Sequence, residues 1–127
     1  MKRILLAFGL VALALLSIAC SPATAKPPTP SGPVDPNGPT IVAKDLKFQT
    51  TSVEVKADSA FTLHFDNQES APHNVAIYTD SGAGTAISVG DVVTSAKADQ
   101  AVPALKPGSY FFRCDVHHDM TGTIVAK

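Results

Sequence analysis

Residues 114–120 bring together a thiol, two imidazoles and a thioether, carried by Cys114, His117, His118 and Met120. The other cysteine, Cys20, lies far away near the N-terminus. Thiolates and imidazoles serve as nucleophiles or as metal ligands, and a thioether is a soft, weak metal ligand. The types and spacing of these side chains therefore point to either a Cys–His hydrolase or a metal site.

The elements that must position these donors are short strands. From residue 41 onward, runs rich in Val, Phe, Thr and Ile alternate with clusters of Gly, Pro, Asn and Asp, and no segment sustains a helical period. We predict strands at 41–48, 52–57, 60–66, 73–79, 91–94, 98–102, 109–115 and 121–126. This pattern predicts an all-β domain, an antiparallel Greek-key sandwich or barrel of about seven or eight strands.

Alternation along the predicted strands assigns the candidate ligands to faces of the sheets. His73 has the same parity as Ile77, so it is predicted to point inward at the start of its strand. Cys114 has the same parity as Phe112 and is predicted to point inward where its strand ends. His64 has the opposite parity to its apolar neighbours, which indicates a surface residue that does not bind metal.

A cysteine, two histidines and a methionine form the donor set that suits copper in an electron-transfer site. Zinc accepts two imidazoles and a thiolate but has little use for a thioether. A dinuclear copper centre would need a second cysteine in the loop, and the sequence has none there. A hydrolase fits less well, because no helix N-terminus is visible to lower the pKa of the thiol that would act with His73 or His117 as base.

Two motifs about forty residues apart carry a family resemblance. The first is APHNVAIY at 71–78, and the second is LKPGSYFFRCDVHHDMTGTIVAK at 105–127, which contains Cys-x2-His-x2-Met. In both motifs, and over residues 41–127 as a whole, the sequence resembles the cupredoxins, most of all their short plastocyanin-like and amicyanin-like members. The resemblance implies a cupredoxin fold and one copper ion that alternates between Cu(I) and Cu(II).

The resemblance also implies the role of each side chain. His73, Cys114 and His117 would be the three strong equatorial ligands, and Met120 the long axial ligand. Asn74 would tie the two ligand-bearing segments together, with its backbone amide directed at the cysteine sulfur.

One position departs from the family pattern. The residue after the second histidine ligand is commonly proline in cupredoxins, and here it is His118. The Cys-x2-His spacing favours His117 as the ligand, which leaves His118 as either a solvated neighbour or a competitor for the metal.

The function implied is transfer of single electrons between redox proteins, without catalysis by the chain itself. Partners such as a cytochrome, an oxidase or a reductase would dock transiently on a monomer, near an edge of His117 exposed within an apolar patch. The alternative is a copper carrier or store without redox turnover. Carriers more often have Met-rich or exposed His runs, and this chain has two methionines, Met1 and Met120.

The N-terminal segment predicts export. Residues 1–19 have a basic start and an apolar run, as in a signal peptide, and SIAC ending at Cys20 resembles a lipobox with a lipidated cysteine. Cleavage after Ala25, or an uncleaved anchor, remains open. Residues 20–40 are rich in proline and predict an extended tether, followed by the domain at 41–127. The protein is thus expected on the periplasmic or extracellular face, anchored to the membrane.

Composition excludes one further class of partner. The net charge is −1, and the Lys and Arg residues are scattered along the chain. Nucleic-acid binding proteins instead have a basic excess that is clustered on one surface. We therefore expect no nucleic-acid partner.

Overall fold

The computed structural model describes residues 37–127. The predicted signal peptide, Cys20 and most of the predicted tether lie outside the described residues. Within residues 37–127, no helix has the length and apolar character needed to cross a bilayer. The same part of the chain forms nine strands: β1 (Thr40–Lys44), β2 (Lys47–Phe48), β3 (Ser52–Val55), β4 (Phe61–Asn67), β5 (Ala76–Tyr78), β6 (Ala86–Val89), β7 (Lys97–Val102), β8 (Gly108–Arg113) and β9 (Thr121–Ala126).

The strands form two sheets. Sheet A has the order β2-β1-β4-β7, and sheet B has the order β3-β9-β8-β5-β6. The strands of both sheets direct alternate apolar side chains into one shared core. The fully buried residues of this core include Ile41, Leu63, Ile77, Phe112 and Ile124. The prediction of an all-β sandwich is confirmed, because alternate apolar residues require two facing sheets to bury them.

The predicted purely antiparallel pairing is wrong, because each sheet is mixed. In sheet A, β1 pairs in parallel with β4, and in sheet B, β3 pairs in parallel with β9. After β2 the chain leaves sheet A, adds β3 to sheet B and then returns as β4. This excursion lets β4 run in the same direction as β1, so the parallel pair needs no crossover helix.

The strand predicted at 41–48 is two strands joined by a tight turn. Asp45 and Leu46 both have φ of 54°, and Lys44 pairs with Lys47 across the turn. Positive φ at both central residues is the geometry of a two-residue hairpin turn, which usually contains Asn or Gly. Asp45 is usual at the first position of such a turn, but Leu46 stands where glycine is usual, so the sequence lacks the Asn-Gly or Asp-Gly signal.

The strand predicted at 91–94 is also wrong, and β6 was missed. β6 pairs with β5, whereas the segment at 91–94 forms only an isolated bridge between Val93 and His73. That bridge has two backbone hydrogen bonds, of 3.1 and 2.9 Å. The segment therefore holds His73 in place without forming a strand.

Strand direction brings the candidate ligands to one end of sheet B. β5 and β8 are antiparallel neighbours, with Ala76 opposite Arg113. His73 precedes β5 and Cys114 follows β8, so the two residues meet at the same edge. β9 is antiparallel to β8, which returns Met120 to that edge at the start of the last strand.

Candidate metal centre

Three potential ligand atoms converge at this edge of sheet B. Within residues 37–127, the group found with the spacing of a metal site is His73, Cys114 and His117, whose ligand atoms all lie within 4.8 Å of one another. The Nδ1 atom of His73 lies 3.7 Å from Sγ of Cys114 and 3.1 Å from Nδ1 of His117. Two atoms that share one ion, each about 2.0–2.3 Å from it, lie roughly 3–4 Å apart. The three donors therefore fit a single metal ion.

His73 is fully buried, as its parity predicted. Its Nε2 atom lies 2.8 Å from Oε1 of Glu69, on the side of the ring away from Cys114. The same carboxylate oxygen accepts a 2.9 Å hydrogen bond from the backbone amide of Leu46. The turn between β1 and β2 is thus connected to the first candidate ligand through Glu69.

The contact with Glu69 fixes which nitrogen of His73 carries the proton. Burial alone raises the pKa of Glu69, but hydrogen bonds from the Leu46 amide and from His73 outweigh burial and hold that pKa below its usual value. An ionised carboxylate only accepts hydrogen bonds, so Nε2 of His73 is the donor. In the neutral ring, which is the form that binds metals, the lone pair of Nδ1 is then directed at Cys114 and His117.

The ligand loop, residues 114–120, is closed by its own backbone. The amide of Cys114 donates to the carbonyl of Met120 at 3.0 Å, and the amide of Met120 donates to the carbonyl of His117 at 3.0 Å. Cys114 is a free, fully buried cysteine, and Met120 is 3% exposed and packs in the hydrophobic core. The soft sulfur donors therefore lie on the inner side of the loop.

The two adjacent histidines have different surroundings. His117 is half-buried, and its ring lies against that of His73 with centroids 4.7 Å apart. His118 is exposed, and its Nε2 atom lies 3.1 Å from the backbone carbonyl of Asp115. The geometry thus groups His117, and not His118, with His73 and Cys114.

Asn74 bridges the two segments that carry these residues. Its Oδ1 atom accepts a 2.8 Å hydrogen bond from the amide of Asp115, and its Nδ2 atom donates to the carbonyl of Gly90 at 3.3 Å. Asp115 directly follows Cys114, and Asn74 directly follows His73. The amide side chain therefore sets the distance between the two candidate ligands.

Sequence reasoning missed two residues that organise the site. Glu69 lies four positions before His73 in a turn-rich segment, and nothing in the pattern indicates that the segment folds back onto the ring. Asn67 shapes that fold: it accepts from the amide of Glu69 at 3.1 Å and donates to the carbonyls of Ala71 and Val93 at 2.8 and 2.7 Å. These contacts arise only when β4 and the segment at 91–94 come together.

Comparison with known proteins supports what the geometry indicates. A family model described as a cupredoxin-like domain matches residues 8–126. Amicyanin-alpha of Methylorubrum extorquens is 35% identical over 82 residues, which cover 65% of this chain and 66% of that protein.

Solved structures share the fold. Amicyanin of Paracoccus versutus matches with a TM-score of 0.59 at 25% identity, over 82% of this chain and 94% of the other. Auracyanin of Roseiflexus castenholzii matches with a TM-score of 0.62 at 17% identity, over 69% of this chain and 94% of the other, a likeness of fold alone. Because the family model covers nearly the whole sequence, this chain belongs to the family of cupredoxin-like domains.

Proposed function

We propose that the protein binds one copper ion and carries single electrons between redox proteins outside the cytoplasm. The observation that carries this proposal is the convergence of His73, Cys114 and His117 within 4.8 Å at one edge of sheet B. Met120, which ends the same loop, completes the donor set as the weak axial ligand. When bound, copper supplies a one-electron couple between Cu(I) and Cu(II).

The surrounding protein favours electron transfer because it holds the donors in one arrangement. His73 is fixed by Glu69 on one side of its ring and by the backbone bridge to Val93. Cys114 is fixed by the loop closure to Met120. A site whose ligands are already oriented rearranges little when its charge changes, which speeds electron transfer.

Docking is proposed at the loop that carries His117. Val116, immediately before it, is 44% exposed, and Val92, in the segment at 91–94 that holds His73, is 54% exposed. Exposed apolar side chains of this kind favour brief contact with a small interface, which suits a carrier that must release its partner. One solved structure with the same fold, an auracyanin, is described as a "blue" copper protein, which supports the copper site of the proposal.

The burial of the site argues against a hydrolase. Cys114 and His73 are both fully buried, and Nδ1 of His73 lies 3.7 Å from the sulfur. A nucleophile must reach a substrate carbonyl, and here only the half-buried His117 approaches the surface. This arrangement supports electron exchange through a ring edge and not covalent attack on a substrate, so we propose that the chain is not an enzyme.

A copper store without redox turnover would use the same donors. Rapid metal release requires ligands that solvent or a partner protein can reach, whereas two of the three donors here are inaccessible. The closed loop and the fixed tautomer of His73 favour retention of the ion. Electron transfer is therefore the better proposal.

The decisive experiment adds Cu(II) to protein produced from the 127-residue sequence and records visible and EPR spectra. We expect an intense blue absorption with narrow copper hyperfine splitting that bleaches reversibly on reduction. Cys114→Ser should remove the intense absorption without unfolding the sheets, since serine occupies nearly the same volume. Persistent blue colour in Cys114→Ser would refute the assignment of the thiolate as ligand.

We further propose that residues 1–19 direct export, that Cys20 is lipidated and that residues 20–40 tether the copper domain at 41–127 to the membrane. The support is the sequence SIAC at the end of the apolar run. Mass spectrometry of the mature N-terminus should find a lipid-modified Cys20, and Cys20→Ala should release the protein from the membrane fraction. A free N-terminus at Lys26 would show instead that cleavage occurs after Ala25.

A further inference from the structure

Three polar side chains pack together beside the ligand loop, on the outer face of sheet B. The hydroxyl of Tyr78 donates a 2.6 Å hydrogen bond to Oδ1 of Asp115, and Nε of Arg113 donates to the same oxygen at 3.2 Å. The guanidinium of Arg113 also lies over the ring of Tyr78, 5.0 Å from its centroid. Each member thus contacts the other two, and we refer to them as the Tyr78 cluster.

The position of the Tyr78 cluster follows from strand alternation. Ile77 and Phe112 are fully buried and face the core, so their neighbours Tyr78 and Arg113 face outward. An outward-facing tyrosine is ordinarily exposed, yet Tyr78 is 7% exposed. The cation–π contact with Arg113 and the hydrogen bond to Asp115 place both side chains against the phenol.

The Tyr78 cluster also includes both chain neighbours of Cys114. Arg113 precedes it and Asp115 follows it. The backbone amide of Asp115 donates to Asn74, the residue after His73, at 2.8 Å. Asp115 is therefore held by its carboxylate from the outer face of sheet B and by its amide from the His73 segment. These restraints meet at Asp115, next to the peptide that joins it to Cys114.

The chemistry of the Tyr78 cluster suits a fixed restraint. Burial and the hydrogen bond to Asp115 raise the pKa of Tyr78, which keeps the phenol a donor. Burial lowers the pKa of Arg113, but hydrogen bonds to Asp115 and Tyr78 outweigh burial, so the guanidinium stays charged. Hydrogen bonds that involve a charged partner are shorter and stronger than neutral ones, and here they converge on one carboxylate oxygen.

We infer that the Tyr78 cluster positions Cys114, by restraining the backbone on both sides of its sulfur, and thereby sets the bond between the thiolate and the copper ion. The inference rests on the proposed function for its metal-bound consequence. Arg113 and Asp115 also bring opposite charges close to the site, and the carboxylate offsets the cation. Loss of the carboxylate charge alone would leave the guanidinium uncompensated and favour the reduced, less positive site.

Other ion pairs of the described chain supply a matched control. The pair of Lys127 and Glu54 has an N–O distance of 2.6 Å, but both side chains are more than half exposed and neither residue is a neighbour of a candidate ligand. Glu54→Gln removes a carboxylate charge from a hydrogen bond, as Asp115→Asn does, but away from Cys114. A general effect of charge or of hydrogen-bond loss should appear in both variants.

The test has a metal-free and a metal-bound measurement on protein produced from the 127-residue sequence. In copper-free protein, NMR should show hydrogen exchange of the Asp115 amide about tenfold faster in Tyr78→Phe, as expected for the loss of one hydrogen bond that restrains it. In copper-loaded protein, Tyr78→Phe and Asp115→Asn should shift the thiolate-to-copper absorption band. Asp115→Asn should also raise the reduction potential, whereas Glu54→Gln should match the parent in every measurement.

The outcomes separate this inference from the proposed function. If the parent forms no blue centre, the proposed function fails, and the exchange rates of the copper-free variants still test the restraint. If exchange, absorption and potential in Tyr78→Phe and Asp115→Asn all match Glu54→Gln, the inference is overturned. Faster exchange without a spectral shift also overturns it, because the restraint would then not reach the sulfur. Should Asp115→Asn fail to fold, Tyr78→Phe still tests the inference, because it removes only one hydroxyl.

Discussion

Two histidine–carboxylate pairs occur in the described part of the chain, with almost the same distance and different surroundings. His73 and Glu69 are 2.8 Å apart, with side chains that are 0% and 20% exposed. His64 and Asp99 are 2.6 Å apart, with side chains that are 21% and 50% exposed. The first pair borders the candidate metal site on sheet B, and the second lies directly across two strands of sheet A.

The difference shows that the pair of side chains alone does not make a metal site. A carboxylate orients either ring, but only the ring of His73 has a thiol and a second imidazole on its other side. Burial keeps water away from those donors, so an ion would gain more from them than from exposed groups. The predictions below test how far copper binding depends on burial of the ring and on the donors that lie on its side away from the carboxylate.

The largest expected contrast is between deleting the ring of His73 and deleting the ring of His64. His73→Ala should abolish the blue absorption, because it removes one of three strong donors. His64→Ala should leave the absorption and the reduction potential unchanged, because that ring faces away from the site. Copper titration followed by visible spectroscopy measures both, and a loss of colour in His64→Ala would refute the contrast between the two regions.

A smaller effect is expected from neutralising the carboxylate of Glu69. Glu69→Gln should weaken copper binding by about 10–100-fold, since it disturbs the orientation of a ligand. It should also raise the reduction potential, because a nearby negative charge stabilises the oxidised, more positive site. Competition with a chelator and redox titration measure these changes.

Asp99→Asn is the matched control, and it should change neither the affinity nor the potential. Equal shifts in Glu69→Gln and Asp99→Asn would show that net charge, and not the contact with His73, is responsible.

Met120→Leu should have a milder effect that is confined to the metal-bound state. The blue colour should persist, because the three strong donors remain, and the reduction potential should rise as a weak axial donor is lost. Leucine fills a similar volume in the core, so the fold should be retained. An unchanged potential would show that Met120 is not the axial ligand.

The smallest effect should be on the stability of the fold when the pair of His64 and Asp99 is broken. Asp99→Asn is expected to lower the free energy of unfolding by about 0–1 kcal/mol, because the contact of Asp99 with His64 lies where water competes for it. Denaturant unfolding of the copper-free protein measures it. A loss well above that range would show that the surface pair stabilises sheet A more than its exposure suggests.

Much of the site could be predicted from local pattern. Parity alone placed His73 inward and His64 outward, because alternate residues of a strand must face opposite sides of a sheet. The same rule placed Cys114 on the buried face with Phe112. The all-β class followed from short apolar runs with frequent turn residues. These features are determined by residues that lie close together in the sequence, so they can be predicted from it.

Contacts between distant segments could not be predicted in this way. The turn at Asp45 and Leu46 lacks the usual glycine, and the amide of Leu46 is hydrogen-bonded to Glu69, 23 positions away. The parallel pairs in both sheets depend on the order in which the chain visits the two sheets. The roles of Glu69, Asp115 and Tyr78 depend on which strands become neighbours.

The sequence by itself determined the donor types, their spacing, the inward faces of His73 and Cys114, and the family that the pattern resembles. Only the tertiary structure decided that Glu69 contacts the ring of His73 on the side away from Cys114 and that the Tyr78 cluster holds both chain neighbours of Cys114. The physical reason is the separation along the chain of the residues that determine each feature. Side-chain alternation is a property of each strand, whereas the orientation of a ring is set by hydrogen-bond partners that strand pairing and loop packing bring from elsewhere in the chain.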